Sequence, residues 1–570
     1  MRLIGHRRGG QPLRWLLVLA LAPILALAPS RMARGAGGAE ASTHPAPQWF
    51  QDGHLTAQAA AVLGQLDAAS DYGLYAPDYR APPLDALRAQ ADPRQPLSLE
   101  LQREAGPALS QAALRFAHDL HFGRVNARAA GFALREARAP LDDDALLARL
   151  ATRRDPAAEL AALEPPFLHY RLLKAMLQRY RELAATPGLA QLPPLPARAL
   201  RQGDRYAGAP QLRRLLQALG DLPGGAGGEG GAGVPGRERA EGHTRDRETP
   251  DGKTPDGKAP DGETLDAALI AGLQQFQTRH GLDADGVLAA RTYRELTTPL
   301  DARVRQIELT LERWRWLPEF RTPPIIVNIP QFRLFAFRTT ADHVADILQM
   351  PVIVGQAYRQ KRTPVFVSEL RLVVFRPYWD VPASIVRREM LGPMRANPAY
   401  LARNNLELVR GGGDDGAVQA PTPANIEALA AGRLRLRQRP GDDNALGLIK
   451  FVMPNDYGVY LHSTPARHLF SRARRDFSHG CIRLSDPVAL AVHVLRANPG
   501  DWSAAAVEAA MHGPSTQRLA LTQPVEVMVL YGTALATEAG RIMFFDDLYG
   551  HDRRLEALLR ARRAATSSAR

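Results

Sequence analysis

The chain has 570 residues, 45% apolar and 23% charged, with a formal net charge of +13. That balance describes an ordinary globular protein with room for three or four domains. Six arginines and no acids fall in the first 34 residues, which leaves about +7 for the rest. With no basic helix and no arginine tract interleaved with aromatics, a nucleic-acid partner is disfavoured, whereas an acidic or carboxylate-rich substrate is compatible.

Residues 1–41 read as an export signal. Arg7, Arg8 and Arg14 precede an apolar run, Trp15 to Ala28, that ends in small residues. The run is about 14 residues long and broken by Pro23, short for a full span. An uncleaved N-terminal anchor is the alternative, and the only route by which the chain would touch a membrane. Either way the body is expected outside the cytoplasm, in the periplasm.

Residues 46–195 read as a helical scaffold domain. Apolar positions recur at helical spacing, as in Leu109, Ala112, Ala113, Phe116, Ala117 and Leu120, with Pro-rich breaks at 82–83, 165–166 and 193–194. Within residues 197–300 a low-complexity insert, 223–262, carries a Gly-rich run and then a Pro-Asp-Gly pentapeptide repeated three times. It has no apolar surface to bury, so disorder is expected. Its flanks belong together. Leu212, Leu215, Leu216 and Leu219 stand before it; Phe276-Gln277, His280-Gly281-Leu282 and Asp285-Gly286-Val287-Leu288 stand after it. This ordered set resembles the small three-helix peptidoglycan-binding module of bacterial wall enzymes.

From about residue 325 the period changes to 2. Short β-branched and aromatic runs at 325–329, 334–337, 350–354, 365–367 and 370–375 read as strands. Residues 377–437 break the pattern with helical candidates (385–395, 425–434) and a Gly-Gly-Gly-Asp-Asp loop at 411–415. An excursion of this length suggests a cap, with Tyr378, Trp379 and Tyr400 as its aromatic core. Strand character returns at 448–452, 459–461, 525–531 and 542–545. A basic tail from Leu555 is expected to fray within a C-terminal segment, 536–570.

The chain has one cysteine, Cys481, so an intrachain disulfide is excluded. It lies in Ser478-His479-Gly480-Cys481-Ile482-Arg483, nineteen residues after His462. A thiolate nucleophile needs a base or a cation beside it. His462 ends a strand-like run, as a catalytic base should. Ser463 follows it, and its carbonyl or hydroxyl could orient the imidazole. Amides at Gly480 and Cys481 could hold an oxyanion. His479 is nearer in sequence but is read as structural or substrate-contacting, and His468 as a solvated loop residue. A metal site on His462, His479 and Cys481 lacks a second chelating pair.

Tyr460-Leu-His-Ser-Thr-Pro465 followed by Phe477-Ser-His-Gly-Cys-Ile-Arg483 resembles the signature of the L,D-transpeptidases with a YkuD-type catalytic domain. The motifs Leu311–Pro318, Val327–Pro330, Gly355 with Thr363-Pro364, Pro377–Pro382, Pro440-Gly, and Asn444–Gly447 with Lys450-Phe451 resemble its large periplasmic YcbB-like subgroup. The resemblance implies a multidomain α+β protein: helical scaffold, three-helix module, and a β-sandwich catalytic domain over 320–535 with a capping subdomain inserted at 377–437. It implies Cys481 as nucleophile, His462 as general base then acid, Ser463 as its orienting residue, and Gly480 with Cys481 as oxyanion donors. Arg483 would meet a stem carboxylate, with Ser478, His479 and Tyr460 on the substrate side. The implied reaction joins peptidoglycan stems through a thioester into a 3→3 cross-link, without metal or cofactor. Peptidoglycan stem peptides and glycan are the implied partners, with other cell-wall synthesis enzymes beside them. Water, a free D-amino acid or a lipoprotein lysine could replace the acceptor stem, and a non-catalytic wall-binding scaffold or a general cysteine peptidase are the competing classes.

Overall fold

In the computed structural model the described residues are 47–90, 95–134, 138–223, 262–320, 322–340, 347–397 and 399–568. The expected export signal and nearly all of the expected disordered insert lie outside them. The residues from 46 onward form one compact unit.

The N-terminal region is helical. Its longest helix, α1 (Leu99–Phe122), is started by Ser98, whose hydroxyl accepts from the Leu101 amide at 3.2 Å. Its apolar stripe from Ala105 to Leu120 is buried against Tyr72 and Tyr79, both edge-on to Phe116. It stops at Gly123, where φ is +82° and a Cβ would strike the Trp316 indole nitrogen. Helix α2 (Leu168–Ala184) turns Tyr170, Leu173, Leu177 and Tyr180 into a different core, that of the β-domain.

The flanks of the insert meet in a three-helix unit: α3 (Ala209–Leu219), α4 (Ala267–Arg279) and α5 (Ala290–Leu296). Leu212, Leu216, Leu269, Leu273 and Phe276 share one core, and Leu200 pairs antiparallel with Leu288. Gln277 explains the spacing of the motif. Its side chain donates to Asp285 Oδ1 (2.9 Å) and the Val287 carbonyl (3.1 Å) and accepts from the Gly286 amide (2.8 Å). The amide group thus stitches the helix to the Asp-Gly-Val turn.

Helix α6 (Leu300–Trp314) leads into the β-domain and carries the charge that joins the helical region to it. Glu312 is fully buried; it accepts from the Arg124 guanidinium (3.0 Å), the Val125 amide (3.1 Å), the Arg315 guanidinium (3.2 Å) and the Arg124 amide. Arg315, also fully buried, reaches Tyr170 at 3.1 Å. The two cations hold the Glu312 carboxyl below its ordinary pKa against the opposing effect of burial.

The β-domain is built on β1 (Ile325–Asn328), β2 (Arg333–Phe337), β3 (Ile347–Gly355) and β4 (Phe366–Phe375). The two runs expected at 365–367 and 370–375 are one strand, because Ser368 and Leu370 keep the buried alternation across the join. The cap follows. Three successive helical runs, Ala383–Ile385, the π-helical turn Val386–Met390 and Leu391–Ala396, make one continuous α7. Helix α8 is Pro423–Ala430.

The cap also holds a four-stranded sheet absent from the sequence reading: β5 (Trp379–Asp380), β6 (Leu406–Arg410), β7 (Ala417–Gln419) and β8 (Arg435–Gln438), ordered β5-β8-β6-β7. Its core is aliphatic (Val386, Met394, Leu401, Leu408, Ile426, Leu436) rather than aromatic. Trp379 and Tyr400 only flank that core, and Tyr378 lies under the Arg437 guanidinium at 4.2 Å.

The chain then returns through β9 (Ile449–Val452), β10 (Leu461–His462), β11 (Asp476–Ser478) and β12 (Ile482–Leu484) to the long β13 (Gln517–Leu530). The order is β11-β3-β12-β10-β9-β4-β13-β1-β2. A further β2–β3 pairing, Arg333 opposite Pro351 to Phe337 opposite Ile347, closes it. The expected β-sandwich is therefore a single sheet curled on itself: β3 is long enough to pair β2 along its first half and β12 and β11 along its second. After β14 (Ala534–Ala536) and β15 (Ile542–Phe544), helix α9 (His551–Ser568) ends the described chain. The expected fraying tail is this helix. Leu555 and Leu559 are buried in the β-domain core, and Arg562 pairs with Asp119 at 2.7 Å.

Removing Glu312 would leave two buried guanidinium groups without their anion. Glu312→Ala is expected to lower stability by about 3–5 kcal/mol, read as a lower urea midpoint in the transition that reports the helical region and the β-domain together.

Candidate active site

The site is made by three neighbouring strands. β9 and β10 are antiparallel, with Lys450 opposite His462. β10 and β12 are parallel, with Leu461 beside Ile482 and His462 beside Arg483. Side chains alternate along a strand, so Tyr460 and His462 share a face of β10, and that register sets Cys481 level with Tyr460. Lys450, Tyr460, His462, Cys481 and Arg483 therefore share one face of the sheet, while Leu461, Ile482, Ile449 and Phe451 fill the core on the other.

His462 is 4% exposed. Its Nδ1 donates to the Ser463 carbonyl at 2.6 Å, which leaves Nε2 as the acceptor nitrogen. The carbonyl, not the hydroxyl, is the orienting group. The Ser463 hydroxyl is used elsewhere: it donates to the Leu446 carbonyl (3.0 Å) and accepts from the Leu448 (2.8 Å) and Ile449 (3.2 Å) amides. Gly447, at φ +61°, packs so closely on Ser463 that a Cβ would overlap its hydroxyl. Burial first, then the Arg483 charge, pushes the imidazole down to about 3, so His462 rests neutral.

Cys481 is half-buried between β11 and β12. Burial pushes its thiol up. Opposing this are the nearby Tyr460 amide and hydroxyl, then the charges of Lys450 and Arg483, while the thiol itself donates to the Gly458 carbonyl at 3.8 Å. Tyr460 lies edge-on to His462 (5.6 Å), and Lys450 Nζ sits 4.0 Å above the Tyr460 ring. Arg483 is half-buried, and its buried Nε has no hydrogen-bond partner.

The loop before Cys481 is held from within. Ser478 is 2% exposed; its hydroxyl donates to the Cys481 carbonyl (2.5 Å) and accepts from the Gly480 amide (3.1 Å). Ser478 thus staples the loop to itself. The Gly480 amide, expected as an oxyanion donor, is occupied by it. Gly480 itself has φ +123°, a conformation that favours glycine. Its carbonyl accepts from Thr363 (2.8 Å), whose hydroxyl also accepts from the Gly355 amide (2.9 Å). Tyr549, from the segment read as a tail, donates to the Gly355 carbonyl at 2.5 Å.

The cap reaches the site at three points. Trp379 acts on the Tyr460 hydroxyl, easing the upward shift that burial imposes on it. Glu389, in the π-helical turn, accepts from His479 (2.8 Å) and Lys361 (3.1 Å). Asp414 makes a bidentate pair with Arg518 (2.8 and 2.9 Å). His479 is therefore a tie to the cap, and His468 is exposed. Asn444 clasps both cap stems through the carbonyls of Pro377 (3.2 Å) and Arg439 (2.9 Å). Among the described residues no group of three His, Cys, Asp or Glu side chains could hold a metal, and no helix is long and apolar enough to cross a membrane. A largely apolar cavity of about 630 Å³ lies elsewhere, between the three-helix unit, α6 and β2, and does not include Cys481.

From the sequence, Lys450 and Glu389 carry no assigned role, and Trp379 only a place in the cap's core. Lys450 left one usable signal: a charged residue at the centre of Ile449-Lys-Phe-Val452, on the face opposite two buried residues. The other two approach only through the cap fold.

Comparison with known proteins places two regions of the chain in known families. Residues 323–508 match the YkuD family, described as the L,D-transpeptidase catalytic domain, and residues 41–177 match a scaffold domain. A Haemophilus influenzae protein described as "Putative L,D-transpeptidase" is 32% identical over 255 residues, which are 44% of this chain and 49% of that relative. The match thus spans about half of the relative's length.

Because folding keeps His462 neutral, the unfolded chain binds a proton below about 6.5 that the native chain refuses until about 3. Stability contributed by this group is complete above about 6.5 and falls as pH drops towards 3. His280, His493 and His551 are depressed in the same sense, so a difference measurement isolates His462. The urea midpoint of His462→Gln is expected to fall less between pH 7 and pH 4 than that of the unaltered protein.

Proposed function

We propose, from the premise that the chain carries an L,D-transpeptidase catalytic domain of the YkuD family, that it is a periplasmic peptidoglycan cross-linking enzyme of the large YcbB-like subgroup. The observation that carries the reading is the common sheet face of Cys481, His462 and Tyr460, with His462 Nδ1 fixed on the Ser463 carbonyl at 2.6 Å. That bond leaves Nε2 free to move a proton.

In the proposed reaction the Cys481 sulfur attacks the carbonyl carbon of the third residue, diaminopimelate, of a tetrapeptide donor stem. The sulfur's proton passes to His462 Nε2. The C–N bond to D-Ala breaks, and the departing amine takes that proton. A thioester remains on Cys481. The side-chain amine of an acceptor stem then attacks the thioester carbonyl and gives its proton to His462, which returns it to the leaving sulfur. The product is a 3→3 cross-link with the enzyme restored. The Cys481 amide is the oxyanion donor, since the Gly480 amide is held by Ser478. Arg483, with its unpartnered Nε on the same face, meets a stem carboxylate. Tyr460 and the cap's Trp379 wall the cleft above them.

Incubating the mature chain with disaccharide-tetrapeptide and analysing the products by mass spectrometry tests the proposal. The expected outcome is a 3→3 dimer with release of D-Ala, and none of either from Cys481→Ala. Tripeptide without dimer would make the protein an L,D-carboxypeptidase, and an undiminished dimer yield from Cys481→Ala would refute the assignment.

A further inference from the structure

We propose that Lys361 Nζ and His479 Nε2 form the subsite for the terminal carboxylate of the donor stem, and that the cap's Glu389 holds that carboxylate's place in the resting enzyme. This deepens the cross-linking reading and rests on it.

A carboxylate is already bound there. Glu389 Oε1 accepts from His479 Nε2 at 2.8 Å and from Lys361 Nζ at 3.1 Å, so two donors from the catalytic domain converge on one oxygen supplied by the cap. The donors do not need Glu389 to bring them together. Lys361 ends the short turn Arg359–Lys361, in the loop that joins β3 to β4. One end of that loop is bound to the residue before His479, where the Gln356 amide donates to the Ser478 carbonyl at 3.0 Å. Its other end is bound to the residue after His479, where the Thr363 hydroxyl donates to the Gly480 carbonyl at 2.8 Å. The Lys361 and Arg362 carbonyls pass 3.9 and 3.6 Å from where a Cβ on Gly480 would stand. Backbone contacts on both sides of His479 therefore fix the two donors beside one another, next to Cys481.

The place fits the chemistry of the donor. The D-Ala that leaves carries its carboxylate on the carbon bonded to the scissile nitrogen, so the group that reads it must stand beside Cys481. His479 comes two residues before Cys481, a step of at most ~7 Å along the chain. Arg483, two residues after Cys481, is left for another carboxylate of the stem. The resting occupant can leave. The side chains of Glu389, His479 and Lys361 are 41%, 34% and 26% exposed, and ion pairs so exposed contribute little. The cap does not depend on them, because Asn444 clasps its stems and Asp414 pairs with Arg518. A substrate carboxylate thus exchanges for the cap's own without breaking a buried contact. A carboxamide in its place would offer only a neutral acceptor, and charge-assisted hydrogen bonds are about twice as strong.

The test compares two donors at low concentration: disaccharide-tetrapeptide, and the same molecule with its terminal carboxylate converted to carboxamide. Release of D-Ala or D-alaninamide is measured for the unaltered chain, Lys361→Met, Lys361→Arg and Glu389→Gln. The unaltered chain is expected to release D-Ala about tenfold faster than D-alaninamide. Lys361→Met should slow the acid donor by most of that factor and leave the amide donor nearly unchanged, so that the preference disappears. Lys361→Arg should keep most of the preference. Glu389→Gln, which frees both donors, should speed the acid donor about two- to threefold. Damage to the Cys481 loop alone would slow both donors together, so the ratio between them is the readout. Equal rates for the two donors in the unaltered chain, a preference that survives Lys361→Met, or a preference that falls in Glu389→Gln would overturn the proposal. If Lys361→Met fails to fold, the Glu389→Gln ratio decides. Release of neither product by the unaltered chain would overturn the cross-linking reading itself, and the subsite with it.

Discussion

The parallel pairing of β10 with β12 is the constraint on which the site depends. It joins two segments whose key residues lie nineteen positions apart and sets Tyr460 and His462 beside Cys481 and Arg483. A slip of one residue would turn half of that set into the core and bring Leu461 or Ile482 to the cleft. The buried face makes such a slip costly, because Leu461, Ile482, Ile449 and Phe451 are all fully buried. The hydrophobic core therefore fixes the geometry of this face from behind.

Around that pairing the backbone is held by polar groups with little freedom. Ser463 is packed by Gly447 and bound at its hydroxyl by three backbone groups, so its carbonyl cannot turn away from His462. Ser478 closes the Cys481 loop from inside, and Thr363 and Tyr549 brace it from outside. The electrostatics follow from burial. A cleft that keeps the imidazole neutral also disfavours a thiolate, and the Lys450 and Arg483 charges on the same face offset only part of that second cost. The cap contributes Trp379 to this dry side and is tied down at Glu389 and Asp414.

The other parts are joined to the catalytic sheet by buried ions rather than by loose linkers. Glu312 gathers the end of α1 and the start of the β-domain around one carboxylate. Arg279 of α4 binds Asp221 in the three-helix unit and the Ile542 carbonyl of β15. Arg562 of α9 returns to Asp119 of α1. These contacts make the residues from 46 onward one compact body, so the three-helix unit has a fixed position beside the catalytic domain.

The sequence by itself determined the parts whose signals are local. A lone cysteine after His-Gly, a histidine at a strand end, the strand periods and the two halves of the three-helix unit could all be read from neighbouring residues. It also carried the family resemblance that residues 323–508 bear out. The tertiary structure decided what depends on pairing between distant segments. Lys450 faces His462 only through the β9–β10 register, and Glu389 reaches His479 across 90 positions of chain. The Gly480 amide is lost to Ser478 only because the loop folds back on itself. The tail became a helix because Leu555 and Leu559 found a core built by other segments. Local periodicity reports which face a residue takes. Which residues meet on that face is set by strand order and register, which no local stretch of sequence encodes.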